Sequence, residues 1–179
     1  MMDCFADVSF APDINVNKAK SRIGIVTRFV EAPVMWSTQL SSRPLSSSSE
    51  AECAGLHEAV KEVRWQRDFL NEVGLFPPNG PTIIWEDNTS SITLSGAKTF
   101  HKRSRHFGIE WYSVKHDVEK AVVEPLYIPT CDQLADILTK VLPGPQHRIL
   151  RDALMGGELD QLFFGTLHPP GGDVSPHSD

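Results

Sequence analysis

Short apolar stretches separated by turn residues dominate the first forty positions of the chain. Residues 4–12 and both halves of residues 22–40 are rich in Phe, Val and Ile, which favour strands. The sequence Glu31-Ala32-Pro33 separates those two halves and predicts a turn. This part of the chain is therefore predicted to form three strands, two of them joined as a hairpin.

Apolar side chains recur at helical spacing in the next segment, residues 46–75. They fall on one face of a helix, at Leu56, Ala59, Val60, Val63 and Leu70. Ser49 is the predicted N-cap, because Glu52 follows it by three residues as in a capping box. The pattern predicts one long amphipathic helix.

Strands and helices alternate in the rest of the chain. Strands are predicted at residues 81–87 and 121–129, the latter at a sheet edge or with a bulge because Pro125 cannot donate to a ladder. Helices are predicted at residues 88–98, 105–120, 130–142 and 145–157, the third with a Thr130/Gln133 capping box. This order predicts the α/β class, with one mixed sheet and helices packed on its faces.

Composition narrows the class of protein. The chain has 179 residues, enough for one domain with a sizeable core. No apolar run approaches the ~20 residues that span a bilayer, and the first residues carry no basic secretory signal. The three cysteines, Cys4, Cys53 and Cys131, are scattered, which argues against a disulfide framework and against a zinc site. We expect a protein of a reducing compartment, with no membrane partner and no small-molecule cofactor.

Charge is distributed unevenly along the chain. The net charge of −6 is unusual for a protein that binds nucleic acid, because phosphate binding usually goes with a basic balance. One segment nevertheless carries a basic cluster: His101, Lys102, Arg103, Arg105 and His106. The cluster could follow a phosphate backbone, or it could be a solvated loop.

Four acids stand where a carboxylate is either solvated or functional. Asp7 lies inside the first predicted strand and Asp136 on a late helix, and each could face solvent. Glu52 begins the apolar face of the long helix, where it could complete the capping box or belong to a site. Asp87 ends a buried strand, where it could be a turn residue or part of a site at the end of the sheet.

If these four acids meet, cations must neutralise them, because adjacent carboxylates repel and raise each other's pKa values. Mg²⁺ is the usual partner of carboxylates that act on phosphate substrates. Two such ions about 4 Å apart can activate a water and stabilise the leaving oxygen in phosphodiester cleavage. Four acids that met in this way would suit metal-dependent phosphodiester hydrolysis.

Several stretches in combination resemble a known family. They are FADVSFAP, APVMWSTQ, SSSSEAECAGLHEAVKEVRWQRDFLNEVG, IIWEDNTSSITL, FHKRSRH and YIPTCDQLADILTKVLP, and they follow one another within residues 3–155. The chain resembles the ribonuclease H domain at the C-terminal end of Ty1/copia-type retrotransposon Pol polyproteins. The combination is specific, whereas each piece alone would be weak.

The resemblance implies a fold, a reaction and a set of ligands. The implied fold is ribonuclease H-like, with a five-stranded mixed sheet flanked by helices on both faces. The implied reaction is metal-dependent endonucleolytic hydrolysis of the RNA strand of RNA/DNA hybrids, with two Mg²⁺ ions or alternatively Mn²⁺. The implied catalytic and metal-binding residues are Asp7, Glu52, Asp87 and Asp136. Nucleic acid would be bound by Asn88, His101, Lys102, Arg103, Arg105 and His106.

Organisation and partners follow from the element order and the resemblance together. We expect a ribonuclease H-like domain at residues 1–142, a C-terminal helical extension at 143–164 and a disordered, Pro- and Gly-rich tail at 165–179. The expected partners are an RNA/DNA hybrid and, if present, the reverse transcriptase region of the same polyprotein. The expected location is the cytoplasm or a virus-like particle, with the nucleus as an alternative.

Some residues depart from the family pattern. Cys53 stands where an aromatic is usual, Gly108 replaces an Asp, and Pro44 interrupts a stretch that is usually a clean strand. These departures leave open a decayed or domesticated remnant that binds nucleic acid, or a structural module of a Pol polyprotein. They spare the four acids, however, and the nuclease interpretation is therefore favoured.

Overall fold

The computed structural model describes residues 2–12, 19–75, 79–96 and 108–156. The strands in these ranges are β1 Met2–Ser9, β2 Arg22–Phe29, β3 Ala32–Leu40, β4 Thr82–Glu86 and β5 Val123–Tyr127. They form one sheet in the order β3-β2-β1-β4-β5. Strands β1, β2 and β3 pair antiparallel, whereas β1, β4 and β5 pair parallel. The predicted α/β fold with a five-stranded mixed sheet is confirmed.

Helices cover both faces of this sheet. They are α1 Ser48–Glu72, α2 Thr89–Gly96, α3 Gly108–Glu119, α4 Asp136–Thr139 and α5 Gly144–Leu154. On one face, α1 and α3 pack Val63 and Val114 into a cluster with Ala6 of β1. On the other face, the segments that carry α4 and α5 pack against Phe5 and Val26. Successive residues of β1 therefore belong to two cores, as the period of a strand requires.

The β2–β3 hairpin differs from the prediction by one residue. Its turn consists of Val30 and Glu31, with φ of 52° and 68°, while Ala32 and Pro33 already belong to β3. Two left-handed residues in a row are typical of the tight turns whose twist matches a hairpin. Pro33 is tolerated because β3 is an edge strand, and β5 with Pro125 forms the other edge, as predicted.

The N-cap of α1 lies two residues before the predicted one. The Ser47 hydroxyl oxygen accepts a hydrogen bond from the Glu50 amide at 3.1 Å, and Glu50 Oε2 accepts one from the Ser46 amide at 2.7 Å. Glu50 is fully buried and also pairs with Arg43, with Nη1 and Oε1 2.5 Å apart. The predicted Ser49/Glu52 capping box is therefore wrong, and Glu52 has no part in the cap.

The helix predicted at residues 130–142 is broken in two. A 3₁₀ turn at Thr130–Asp132 is followed by Gln133 in an extended conformation, and only then does α4 begin. The predicted capping box is also wrong, because the Gln133 side chain points into the core and donates to Ala6 O and Trp85 O. Local periodicity could not detect this break, since its cause is a contact with two distant strands.

The predicted domain boundaries stay predictions. Helix α5 lies within the proposed extension at 143–164 and packs Leu150 and Ala153 into the core beside Phe5. The proposed tail at 165–179 lies outside the described residues. Among the helices that the structure describes, none has the combined length and apolarity needed to cross a membrane.

Candidate metal centre

Three of the four predicted acids meet at one end of the sheet. Asp7 lies in β1, Asp87 follows the last residue of β4, and Asp136 begins α4. One carboxylate oxygen from each lies within 4.8 Å of the other two. Parallel neighbours β1 and β4 bring their carboxyl ends to the same edge, where sites form in open α/β sheets. A set of carboxylate oxygens at this spacing could hold a divalent metal ion.

Burial separates two of these acids from ordinary surface carboxylates, whereas Asp87 is partly exposed. Asp7 and Asp136 are each only 1% exposed, and the interpretation of either as a solvated residue is therefore wrong. Asp7 shares its face of β1 with Phe5, two residues earlier, and this face is covered by the segment that carries α4. Gly24 of β2 leaves room for Thr139 and Ala135 to lie against the sheet, which turns Asp136 inward.

A lysine that was not predicted as a site residue lies between two of the acids. Lys140 Nζ is 3.0 Å from Asp7 Oδ1 and 2.7 Å from Asp136 Oδ1. Burial lowers the pKa of Lys140, but the hydrogen bond to Asp136 and the charge of Asp7 outweigh it and raise the pKa above its ordinary value. The ammonium is therefore a positive charge held at a position that attracts cations.

Two hydroxyl groups orient the carboxylates. The Thr139 hydroxyl donates to Asp7 Oδ2, and the Thr130 hydroxyl donates to Asp87 Oδ2 at 2.8 Å. Burial raises the pKa of Asp136 to about 6, although the hydrogen bond from Lys140 acts to lower it. Neighbouring side chains thus fix the acids before any ligand is bound.

Glu52 reaches the edge of this cluster from the first turns of α1. It is half-buried, and its Oε2 is buried with no hydrogen-bond partner among the described residues. Burial raises the pKa of Glu52 to about 8, and the charges of Asp7 and Asp87 raise it further, while a hydrogen bond from Asn88 opposes them. Its oxygens are outside the group that lies within 4.8 Å, so Glu52 borders the triad in this structure.

A fifth acid, Glu86, was not anticipated from the sequence. It is the last residue of β4, is 1% exposed, and its Oε1 accepts a hydrogen bond from the Asn88 amide at 3.2 Å. Burial first and the charge of Glu52 second raise its pKa well above the ordinary value. Two features of the sequence could have revealed the residues that were missed. Glu86 directly follows the apolar residues of IIWED, and Lys140 follows Asp136 by four residues in DILTK, a spacing at which helical side chains meet.

Of the residues predicted to bind nucleic acid, the structure describes only Asn88. Asn88 lies beside the cluster, and its Oδ1 accepts from the Ser90 amide at 2.9 Å and so caps α2. The basic cluster of His101, Lys102, Arg103, Arg105 and His106 lies outside the described residues.

Sequence relatives of the chain are transposon polyproteins. It is 28% identical over 148 residues to the retrovirus-related Pol polyprotein from transposon TNT 1-94 of Nicotiana tabacum, covering 83% of this chain and 11% of the relative. It is 27% identical over 141 residues to that from transposon RE2 of Arabidopsis thaliana, covering 79% and 10%. The chain thus spans about a tenth of the length of these curated relatives. No protein-family model matches the chain.

Solved structures with the same fold are ribonucleases H. LC11-RNase H1, isolated from compost, superposes with a TM-score of 0.57 at 15% identity, covering 76% of this chain and 91% of that one. RNase H1 from Halobacterium salinarum NRC-1 gives 0.53 at 13% identity, covering 76% and 92%. LC11-RNase H1 in complex with an RNA/DNA hybrid gives 0.54 at 13% identity, covering 77% and 93%.

Proposed function

Because the homologues of this chain are Ty1/copia-type Pol polyproteins and its fold is that of ribonuclease H, we propose that it is a metal-dependent endonuclease for the RNA strand of RNA/DNA hybrids. One observation carries the proposal: Asp7, Asp87 and Asp136 come from three separate elements and place an oxygen each within 4.8 Å of the others. Such crowding of negative charge is costly unless a cation is bound, because like charges at this distance repel. Lys140 neutralises part of this charge, and a divalent ion would neutralise the rest.

The residues present fit a divalent, oxygen-preferring ion. All the donors are carboxylates, the ligand type that suits Mg²⁺ and Mn²⁺. The Lys140 ammonium already places a positive charge between Asp7 and Asp136, as a bound metal ion would. Glu52 adds a buried oxygen without a described partner beside them. In this proposal, Asp7, Glu52, Asp87 and Asp136 hold two Mg²⁺ ions, with Mn²⁺ as an alternative.

Each side chain of the site has a role in this proposal. Bound Mg²⁺ would supply activation of a water and stabilisation of the leaving oxygen in phosphodiester cleavage. Thr139 and Thr130 keep the Asp7 and Asp87 carboxylates in fixed orientations. Glu52, with a pKa of about 8, carries a proton near neutral pH in the metal-free protein, and must release it to become a ligand.

Nucleic acid would approach along the same edge of the sheet. Asn88 borders the acids, and the basic cluster at residues 101–106 follows it in the sequence. We propose that these side chains contact the hybrid backbone, and that RNA is selected through its 2′-hydroxyl groups and the shape of its groove. A reverse transcriptase region of the same polyprotein is the proposed protein partner, and the cytoplasm, a virus-like particle or the nucleus the proposed location.

The deciding experiment is cleavage of a labelled RNA/DNA hybrid in Mg²⁺, with EDTA as the blank. Wild-type protein should cut the RNA strand, and Asp87→Asn should lose at least about a hundredfold in rate, because the triad loses a charged ligand. Asp152→Asn is the matched control, since Asp152 is exposed and its only ion pair among the described residues is with its neighbour Arg151. A folded wild-type protein that binds the hybrid but cuts nothing in Mg²⁺ or Mn²⁺ would overturn the proposal and favour a decayed binding remnant.

A further inference from the structure

The parallel ladder between β1 and β4 ends just before Asp7, which lies in β1, and Asp87, which follows β4. Strands β1 and β4 pair from Asp3 and Ile83 to Phe5 and Trp85, and their ladder ends there. Close to this end of the ladder, the backbone carbonyls of Ala6 and Trp85 both accept from the same side chain. Without another contact, nothing in the ladder would fix the distance between the two strand ends that present the acids.

That side chain is buried and bridges the two carbonyls. Gln133 is fully buried, and its Nε2 donates to Ala6 O at 2.9 Å and to Trp85 O at 3.2 Å. Its Oε1 accepts from the Ala135 amide at 3.3 Å. A primary amide has two donor hydrogens and one acceptor oxygen, and here all three are used.

Each of these contacts is made next to a site acid. Ala6 immediately precedes Asp7, and Trp85 lies two residues before Asp87. Gln133 also holds the third acid, because its backbone carbonyl accepts from the Asp136 amide at 3.1 Å. One residue thus links the three chain segments that carry the triad, two of them through its side chain and the third through its backbone.

We propose that Gln133 is a positioning residue that sets the spacing of Asp7, Asp87 and Asp136 and thereby the affinity of the site for divalent metal. This inference rests on the proposed function and concerns the same site. Few side chains can do this: Glu offers no second donor, Asn is one methylene shorter, and an apolar residue would leave two buried carbonyls unsatisfied.

The test compares two buried glutamines. Gln133→Met keeps the length of the side chain and removes its hydrogen bonds. Gln66→Met is the matched control, since Gln66 is also buried. Its side chain donates to Thr27 and Glu62, and neither of these belongs to the triad. Mn²⁺ binding to the metal-free, folded proteins is measured by calorimetry, and the Mg²⁺ dependence of hybrid cleavage alongside it.

The expected result is specific to Gln133. Gln133→Met should bind Mn²⁺ about 10-fold or more weakly, and need a correspondingly higher Mg²⁺ concentration for half-maximal cleavage, as for other residues that orient metal ligands. Its affinity for the hybrid in EDTA should equal that of wild type, and Gln66→Met should match wild type in all three measurements. If Gln133→Met does not fold, Gln133→Asn takes its place with the same expectation.

The outcomes separate the inference from the proposed function. Wild-type metal affinity and Mg²⁺ dependence in a folded Gln133 variant would overturn the inference and leave the nuclease intact. An equal loss in Gln66→Met would also overturn it, because the effect would then belong to general stability. A wild-type protein that neither binds Mn²⁺ nor cuts the hybrid would remove the proposed function, and the inference with it.

Discussion

At the scale of single residues, Lys140 is the group whose removal best distinguishes a cation site from a structural ion pair. Lys140→Met leaves Asp7 and Asp136 without their shared positive charge. In EDTA the free energy of unfolding should fall by about 1–3 kcal/mol, less than for a fully buried pair because a third of the lysine side chain is exposed. Urea denaturation measures it.

Mg²⁺ should restore the free energy of unfolding that Lys140→Met loses. In the variant the ion neutralises the same carboxylates and does not have to compete with the lysine ammonium. The stabilisation that Mg²⁺ adds should therefore be larger in Lys140→Met than in wild type. Lys61→Met is the control, since Lys61 is exposed and pairs, in the part of the chain that the structure describes, only with Glu58, a contact worth about 0–1 kcal/mol. A loss that is the same with and without Mg²⁺ would show that Lys140 has a purely structural role.

The pKa of Glu52 makes the stability of the metal-free protein depend on pH. This pKa is about 8 in the folded protein against an ordinary 4.5, so the folded state holds a proton that the unfolded chain has released. The contribution of Glu52 to stability must then fall as pH rises from about 4.5 to about 8. Asp136, with a pKa of about 6 against 3.8, contributes with the same sign in a lower range.

Glu52→Gln should remove its share of this slope. The variant should gain on the order of 1–2 kcal/mol over wild type between pH 5 and pH 8.5 in EDTA, a value discounted for the partial exposure of Glu52. Urea denaturation at each pH measures the difference, with Glu72→Gln at the exposed end of the same helix as the control. A wild-type slope in Glu52→Gln would contradict the assignment.

At the scale of elements, the N-terminus of α1 uses different residues for its cap and for the candidate site: Ser47 and Glu50 cap the helix, whereas Glu52 borders the triad. Ser47→Ala should cost about 1 kcal/mol of stability, because the hydroxyl that accepts from the Glu50 amide is lost. Ser49→Ala, at the position predicted from the sequence, should cost much less. Thermal or urea denaturation gives both values, and the Mg²⁺ dependence of cleavage should be unchanged in either variant. A larger cost for Ser49→Ala would reinstate the sequence-based cap.

Two elements show why local patterns were only partly sufficient. The segment SSSSEAE offers two overlapping capping boxes, Ser47/Glu50 and Ser49/Glu52, and the buried contact of Glu50 with Arg43 decides between them. The segment TCDQLADILTK has helical periodicity, yet Gln133 interrupts it for contacts with β1 and β4. In the first case a residue seven positions away decides between two local patterns, and in the second, contacts 127 and 48 positions away along the chain outweigh a local preference.

At the scale of the whole molecule, the site depends on how closely α4 lies against the sheet. A Cβ added at Gly24 would lie 2.7 Å from Thr139 Cγ2 and 3.1 Å from the Ala135 carbonyl oxygen. Gly24→Ala should therefore push α4 outward, lower stability by about 1–3 kcal/mol and weaken Mn²⁺ binding, because Asp136 moves with its helix.

Gly144→Ala is the matched control for this experiment. The nearest atom to its added Cβ is the flexible end of Arg148 at 3.7 Å, an ordinary contact. Denaturation and calorimetry on both variants should show a loss for Gly24→Ala alone. A Gly24→Ala protein with wild-type metal affinity would show that the position of α4 does not control the site.

The sequence by itself was sufficient to predict most of the elements and to single out four candidate acids. Strand propensity and helical spacing are local properties, and they predicted the sheet strands and α1 to within a few residues. The combination of motifs singled out Asp7, Asp87 and Asp136, which the structure brings together, and Glu52, which it places at their border.

Only the tertiary structure decided which way these side chains face and what surrounds them. Taken alone, Asp7 and Asp136 had the patterns of solvated residues, and they are buried because the segment carrying α4 covers that face of the sheet. Lys140 meets Asp7 across 133 positions of the chain, and Gln133 meets Ala6 across 127. Contacts between residues so far apart leave no periodic signal in the sequence, because chain folding alone makes them neighbours.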